Sequence, residues 1–245
     1  MILYFSGTGN SYYVACELAR LLGEPDPVAM LSATPAIRMA SSDVIWVFPI
    51  YSWGVPPVVV DCMQRFGFTG SGRHWMVCTC GDDIGLAHRQ WEMIVNRRGW
   101  TPAGCFSVQM PNTYVMLPGF DVDSSEVESR KLRLAPERIA EIAANIKNGD
   151  AVVDVVKGTM PWLKTRLVYP GFVRHAMSPK RFNATDACVG CGRCSRECPL
   201  SNIKMDASSR PQWGRDCAFC LRCYHTCPVH AIAHGRYTSK KGQYL

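Results

Sequence analysis

Up to Gly149 the chain alternates between two hydrophobic patterns. Short apolar runs occur at Ile2 to Phe5, Asp43 to Ile50 (DVIWVFPI), His74 to Cys80 (HWMVCTC) and Ala103 to Met110, with a weaker one at Asp26 to Leu31. Runs of this length without polar alternation mark strands covered on both faces, as in a parallel sheet. Between them the spacing turns helical. Ala15, Leu18, Ala19 and Leu22 fall at i, i+3, i+4 and i+7 before Gly23, Val58 to Phe66 reads as a helix, and Gly67 to Gly72 reads as a loop. Ile84, Ala87, Trp91, Ile94 and Val95 share one face, and from Ser124 to Gly149 a stripe of Ile139, Ile142, Ala143 and Ile146 continues past Pro136, a predicted break or new first turn. Five strands alternating with helices predict an α/β domain over residues 1–157.

The pattern then changes. Residues 158–183 mix basic and aromatic residues with three prolines, which predicts a connector packed across the first domain, not a continuous amphipathic helix lying on a membrane. A flexible tether would be rich in Gly and Ser, so Trp162, Tyr169 and Phe172 are expected to be buried in a fixed interface. The long apolar stretch 111–123 is expected to cover something: either a ligand edge, with Tyr114 inside, or the module that follows.

Residues 184–245 are organised by cysteine. CVGCGRCSRECP at Cys188–Pro199 and CAFCLRCYHTCP at Cys217–Pro228 repeat the spacing C-x2-C-x2-C-x3-C-P. Three thiolates two residues apart wrap one cube, and the proline after each fourth cysteine turns the chain away. This spacing is the signature of bacterial two-cluster ferredoxins, where each run lends its fourth cysteine to the other 4Fe–4S cluster. It implies Cys188, Cys191, Cys194 and Cys227 on one cluster and Cys217, Cys220, Cys223 and Cys198 on the second. Four-cysteine zinc sites also use C-x2-C pairs but fit two consecutive three-cysteine runs poorly. A disulfide framework suits neither the odd count of thirteen cysteines nor the lack of a secretory signal. His175, His225 and His230 have no metal spacing left to fill.

The first strand leads into Ser6, Gly7, Thr8, Gly9, Asn10 and Ser11, a loop of glycines and hydroxyls at a helix start, suited to a phosphate. The third glycine of a dinucleotide fingerprint is absent, since Tyr12 stands there, and so is the Gly-Lys-Ser/Thr of a P-loop. The S-x-T-G-N-S pattern resembles the FMN phosphate loop of flavodoxins. With PIYSWGVPP, TCGDD and both cysteine runs, the whole chain resembles the flavodoxin and two-cluster ferredoxin fusion family. The resemblance implies a doubly wound five-stranded parallel sheet of order 2-1-3-4-5 joined to a small α+β ferredoxin domain, with FMN and two 4Fe–4S clusters as cofactors. It also implies flavin-ring contacts from Tyr51, Ser52, Trp53 and Gly54 and from Thr79, Cys80, Gly81 and Asp82. Asp82 and Asp83 depart from a glycine-rich ring loop; they would oppose an anionic reduced flavin or merely open the next helix. Cys80 reads as a buried small hydrophobe before it reads as a redox thiol.

Charge is uneven. Residues 1–157 carry 13 Lys and Arg against 16 Asp and Glu; residues 158–245 carry 14 against 4. Two cysteine-ligated clusters remove about four charges and an FMN phosphate about two more, leaving a holoprotein near about +1. The basic excess then reads as counter-charge to cofactors; nucleic acid is not expected as a partner, and the residual basic surface suits an acidic redox partner protein. No run approaches the ~18 apolar residues of a membrane span, so a cytoplasmic protein is expected. The function implied is electron transfer between FMN and the clusters in low-potential anaerobic metabolism, serving a partner oxidoreductase. The alternative is a flavin-dependent reductase of a small molecule such as a quinone or nitro compound.

Overall fold

A computed structural model describes residues 1–33, 43–68, 72–236 and 238–244. Part of the Gly67 to Gly72 loop expectation, at 69–71, lies outside the described residues. In the first domain β1 (Ile2–Tyr4), β2 (Val28–Ala29), β3 (Val44–Pro49), β4 (Arg73–Cys80), β5 (Thr101–Gln109) and β6 (Val153–Asp154) form one parallel sheet in the order β2-β1-β3-β4-β5-β6. The sheet therefore has six strands where five were expected. The sixth is two exposed residues that return after the last long helix and pair Val153 and Asp154 with Cys105 and Phe106. So short a strand has no periodicity to betray it.

The strands bury both faces, as their unbroken apolar runs require. Val44, Trp46 and Phe48 point to one side, with Met76 and Cys78, while Ile45 and Val47 point to the other, with Trp75 and Val77. Helices α2 (Pro57–Arg65) and α3 (Ala87–Arg97) cover the first face through Val59, Met63 and Trp91. Helices α1 (Asn10–Leu22) and α4 (Ser125–Asn148) cover the second through Val14, Leu18, Ile139 and Ile142. Pro136 does not break α4, which runs through it from the Ser124 cap to Gly149.

The connector is also more regular than its prolines suggested. Residues 161–176 are helical throughout: α5 (Pro161–Leu163), a π segment Lys164–Val168, α6 (Tyr169–Gly171) and a second π segment Phe172–Ala176. Pro161 and Pro170 each open an α turn, and the wide π turns accommodate the missing N–H and the ring of Pro170. Phe172 is 7% exposed and the Tyr169 hydroxyl donates to the Val55 carbonyl, but Trp162 is 60% exposed, against expectation. The one-turn α5 has no buried residue, so Trp162 lies on the outer side of the strap.

The cysteine module is built from β7 (Phe182–Ala184), α7 (Arg193–Arg196), β8 (Ile203–Met205), β9 (Pro211–Trp213), α8 (Arg222–His225) and β10 (Ile232–His234). The pairs β7·β10 and β8·β9 are antiparallel. A short 3-10 turn, Thr238–Lys240, follows. Loop 111–123 covers this module: Val115 and Met116 share its core with Phe219 and Tyr224, and the Thr113 carbonyl bonds His225 Nε2 at 2.8 Å. Among the described residues no helix is long and apolar enough to cross a membrane.

Candidate cluster site and phosphate loop

Both cysteine runs fold alike. Gly190 and Gly192 in the first, and Phe219 and Leu221 at the same places in the second, all have positive φ. For Phe and Leu this left-handed conformation is costly, and it persists because wrapping three thiols round one centre demands it. The third cysteine of each run, Cys194 or Cys223, then lies within α7 or α8. The fourth cysteine's sulfur accepts a backbone N–H from four residues on: Asn202 N to Cys198 Sγ at 3.3 Å and Ala231 N to Cys227 Sγ at 3.2 Å.

The thiols fall into two groups. Cys198, Cys217, Cys220 and Cys223 line one cavity, together with Ala218 and Trp213. Burial pushes the Cys220 thiol up to about 12, with Cys217 and Cys198 adding to the rise. Burial likewise raises Cys223, with the Cys220 thiol adding and the Trp213 indole opposing. In the other group burial raises Cys194, and Cys227, Cys188 and Cys191 add to it. Thiols so arranged need a positively charged centre to ionise. No three His, Cys, Asp or Glu side chains among the described residues converge on a single-ion position.

The loop after β1 lies against the group of Cys198, Cys217, Cys220 and Cys223. A Cβ on Gly7 would stand 2.3 Å from the Cys220 carbonyl oxygen, so the two backbones touch through the missing side chain. Arg222 bridges the same junction, paired with Glu197 at 2.6 Å and donating to the Gly7 carbonyl at 3.3 Å. Gly9 has φ 99 and precedes α1 without a side-chain cap, so the first-turn N–H groups of α1 face out of the helix. Ser6 Oγ accepts the Gly9 N–H at 3.2 Å, Asn10 Nδ2 donates to the Pro111 carbonyl at 2.9 Å, and Ser11 Oγ meets Thr79 Oγ1 at 2.8 Å. Thr8 is 8% exposed, has no side-chain partner among the described residues, and lines a cleft of about 560 Å³. Tyr12 and Leu31 wall this cleft on one side, and Arg193, Glu197 and Arg222 of the cysteine module on the other.

The loops expected to enclose a flavin ring meet a different occupant. Thr165 of the connector joins the first of them to the turn before α3, accepting the Leu86 N–H at 2.8 Å and donating to the Trp53 carbonyl at 2.8 Å. Tyr169 packs on Gly54, and Lys164 lies 5.0 Å over the Trp53 ring. Ser52 and Trp53 take positive φ in the tight turn that bonds Tyr51 to Gly54. Gly81 faces Asn112. The Asp82 side chain is 93% exposed, whereas Asp83 accepts the Gly85 N–H and pairs with Lys164 at 2.7 Å. Cys80 is buried and its thiol is pushed up to about 12, mainly by burial, with Asp83 and Asp82 adding, so it packs as a small hydrophobe. The loop at residues 6–11 thus presents an open polar cradle. The strap covers the Trp53 loop and the turn before α3.

Fold and site together define a two-part protein: a six-stranded parallel α/β domain strapped to a small cysteine-rich module. Residues 180–228 match the 4Fe-4S dicluster domain family. The chain therefore carries a ferredoxin-like domain of the 4Fe–4S cluster-binding type. No curated protein matches the chain. Among solved structures it is similar to the Trp repressor binding protein from Bacillus subtilis, at 13% identity and a TM-score of 0.34, over 58% of this chain and 96% of that one. That likeness is too slight to carry a further step.

Sequence reasoning missed three contributors. Arg222 lies inside the second run but reaches the first domain, Thr165 sits in a stretch read only as a connector, and Trp213 lies outside both motifs. No spacing signal marks any of them.

Proposed function

We propose that the protein is an electron carrier in which two 4Fe–4S clusters, one on Cys188, Cys191, Cys194 and Cys227 and the other on Cys217, Cys220, Cys223 and Cys198, pass single electrons to and from a flavin held by the first domain. The observation that carries this reading is the contact of Gly7 with Cys220, which sets the candidate phosphate loop directly against a ligand of the second cluster. Electron transfer needs short separations through a rigid medium, and the helical strap at residues 161–176 supplies the rigidity.

FMN is the flavin of choice because the loop offers Thr8 and helix-start amides to one terminal phosphate. Its ring belongs in the cleft beside Tyr12, since the strap covers the Trp53 loop. Bound there, the flavin supplies the exchange between electron pairs and single electrons. Arg193 and Arg222 offset the phosphate charge across the cleft, and Glu197 tempers them. The exposed basic residues of the module suit an acidic redox partner.

Anaerobic purification or reconstitution, followed by iron, sulfide and flavin analysis, tests the composition. About eight irons and eight sulfides with one FMN per chain are expected. Tightly bound zinc with no broad visible absorbance overturns the cluster reading, and full cluster content with no FMN bound overturns the flavin part alone. Photoreduced flavin should then pass its electron to a cluster at a rate independent of protein concentration.

A further inference from the structure

Two buried donors beside the second cysteine group lack a partner at hydrogen-bond distance among the described residues, the Tyr51 hydroxyl and the Trp213 indole N–H, the latter close enough to the Cys223 thiol to oppose the rise that burial gives it. Trp213 is the last residue of β9 and lines the cavity with all four cysteines of the group. Its ring is held by stacking on Phe182, with centroids 5.6 Å apart and planes 15° off parallel. Tyr51 comes from the other domain. It follows β3, is pinned by the Tyr51–Gly54 turn, and its hydroxyl's pKa is raised by burial and then by the nearby Cys220 and Cys217 thiols. Donors sealed from water are ordinarily paired, so two such donors beside one group of thiols point to sulfur acceptors there.

The arrangement is not repeated round the first group. Trp213 stands four residues before Cys217, and the residue four before Cys188 is Ala184, whose methyl group donates nothing. The first domain also reaches the module through loop 111–123, where the buried Tyr114 hydroxyl likewise has no partner, but it is Tyr51 whose hydroxyl is raised, after burial, by Cys220 and Cys217. The two cysteine groups therefore share a backbone and differ at this position, Trp213 against Ala184.

We propose that Trp213 and Tyr51 are hydrogen-bond donors to the second cluster and raise its reduction potential relative to the same cluster without them. The inference rests on the two-cluster reading above. Reduction adds one electron and one negative charge to the cluster and breaks no bond, and a donor directed at a cluster sulfur favours the more negative state. Burial of the second group works the other way, since low dielectric disfavours added charge. The two donors offset that penalty and keep the cluster next to the phosphate loop able to accept an electron.

The test is a dithionite titration of holoprotein followed by electron paramagnetic resonance. Hyperfine-shifted cysteine β-proton signals, assigned to individual residues, report each cluster separately. Trp213→Phe keeps the stacking and Tyr51→Phe keeps the packing, so iron and sulfide contents should equal those of wild type. Each variant should shift the second cluster's midpoint to more negative values, the double variant should shift it further, and the first cluster should not move. Trp213→His, which restores an N–H, should recover part of the shift. An unmoved second midpoint at full cluster content, or equal movement of both clusters, overturns the inference. A wild-type protein without a second cluster overturns it together with the two-cluster reading, and the iron count tells these cases apart. If Trp213→Phe fails to assemble, Tyr51→Phe alone decides in the same way.

Discussion

Gly7 and Cys220 meet backbone to backbone: a Cβ built on Gly7 would lie 2.3 Å from the Cys220 carbonyl oxygen and 2.9 Å from its Cβ. Neither atom is the far end of a flexible side chain, so nothing there can swing aside. Gly9, two residues on, is glycine for another reason: there a Cβ would meet nothing within 4 Å, but its φ of 99 suits no L side chain. The loop thus spends one glycine on contact and one on conformation.

Gly7→Ala should therefore push the cysteine module off the sheet domain. A cost of about 1–3 kcal/mol is expected from overpacking. The measurement is thermal unfolding of holoprotein together with the flavin-to-cluster transfer rate after photoreduction. A variant as stable as wild type, with an unchanged rate, would show that the contact constrains nothing.

Thr165 offers a second test of the same rigidity, through hydrogen bonds instead of sterics. It joins the Trp53 carbonyl to the Leu86 N–H, each at 2.8 Å, from a position 8% exposed. Thr165→Val keeps the shape and strands both partners, at a cost of about 1–3 kcal/mol. Limited proteolysis should then cut within residues 158–183 faster than in wild type. Equal cutting rates would mean that the strap is held by packing alone.

How far the sequence revealed this structure depended on whether the controlling interaction was local. The two cysteine runs were legible because cluster ligation is written in spacing, and the strands because burial on two faces leaves an unbroken apolar run. The resting place of Thr165 was not, since a threonine that bridges loops from residues 53 and 86 has no local pattern. Pro170 and Pro136 read as breaks because a proline's cost is local and certain, while the π turns and the packing of α4 that absorb it are tertiary. The positive φ of Phe219 and Leu221 was hidden for the converse reason: residue type argued against a conformation that the ligands impose.

Acid should destabilise the fold through histidines that are buried neutral. His74 Nδ1 accepts the Trp46 indole N–H at 3.0 Å, and its ring stacks on Trp100 at 4.7 Å. Burial holds its pKa down to about 4, with Asp43 opposing, and burial does the same to His88. An unfolded imidazole titrates near about 6.5, so between that value and 4 the unfolded chain binds the extra proton. Stability is then fully present above about pH 6.5 and falls as pH drops toward 4. His74→Asn keeps an acceptor for Trp46 and does not titrate, so its urea midpoint, followed by far-UV circular dichroism, should fall less between about pH 7.5 and about pH 5.5 than that of wild type. Equal losses in both proteins would place the titration elsewhere.

The crossed ligation can be tested at Cys198. In sequence it belongs to the first run, but in the structure it lines the cavity of Cys217, Cys220 and Cys223, while Cys227 of the second run is grouped with Cys194. Cys198→Ala removes one ligand, and a cube held by three thiolates is open to solvent and loses iron. The hyperfine-shifted signals of Cys217, Cys220 and Cys223 should vanish or move, and those of Cys188, Cys191 and Cys194 should stay. The substitution removes the acceptor of the Asn202 N–H, while Ser195 Oγ still donates to the Ile203 carbonyl at 2.6 Å and holds the run's turn. Loss of the Cys188, Cys191 and Cys194 signals alone would mean that each run closes its own cluster, and the cavity grouping would then be a coincidence of packing.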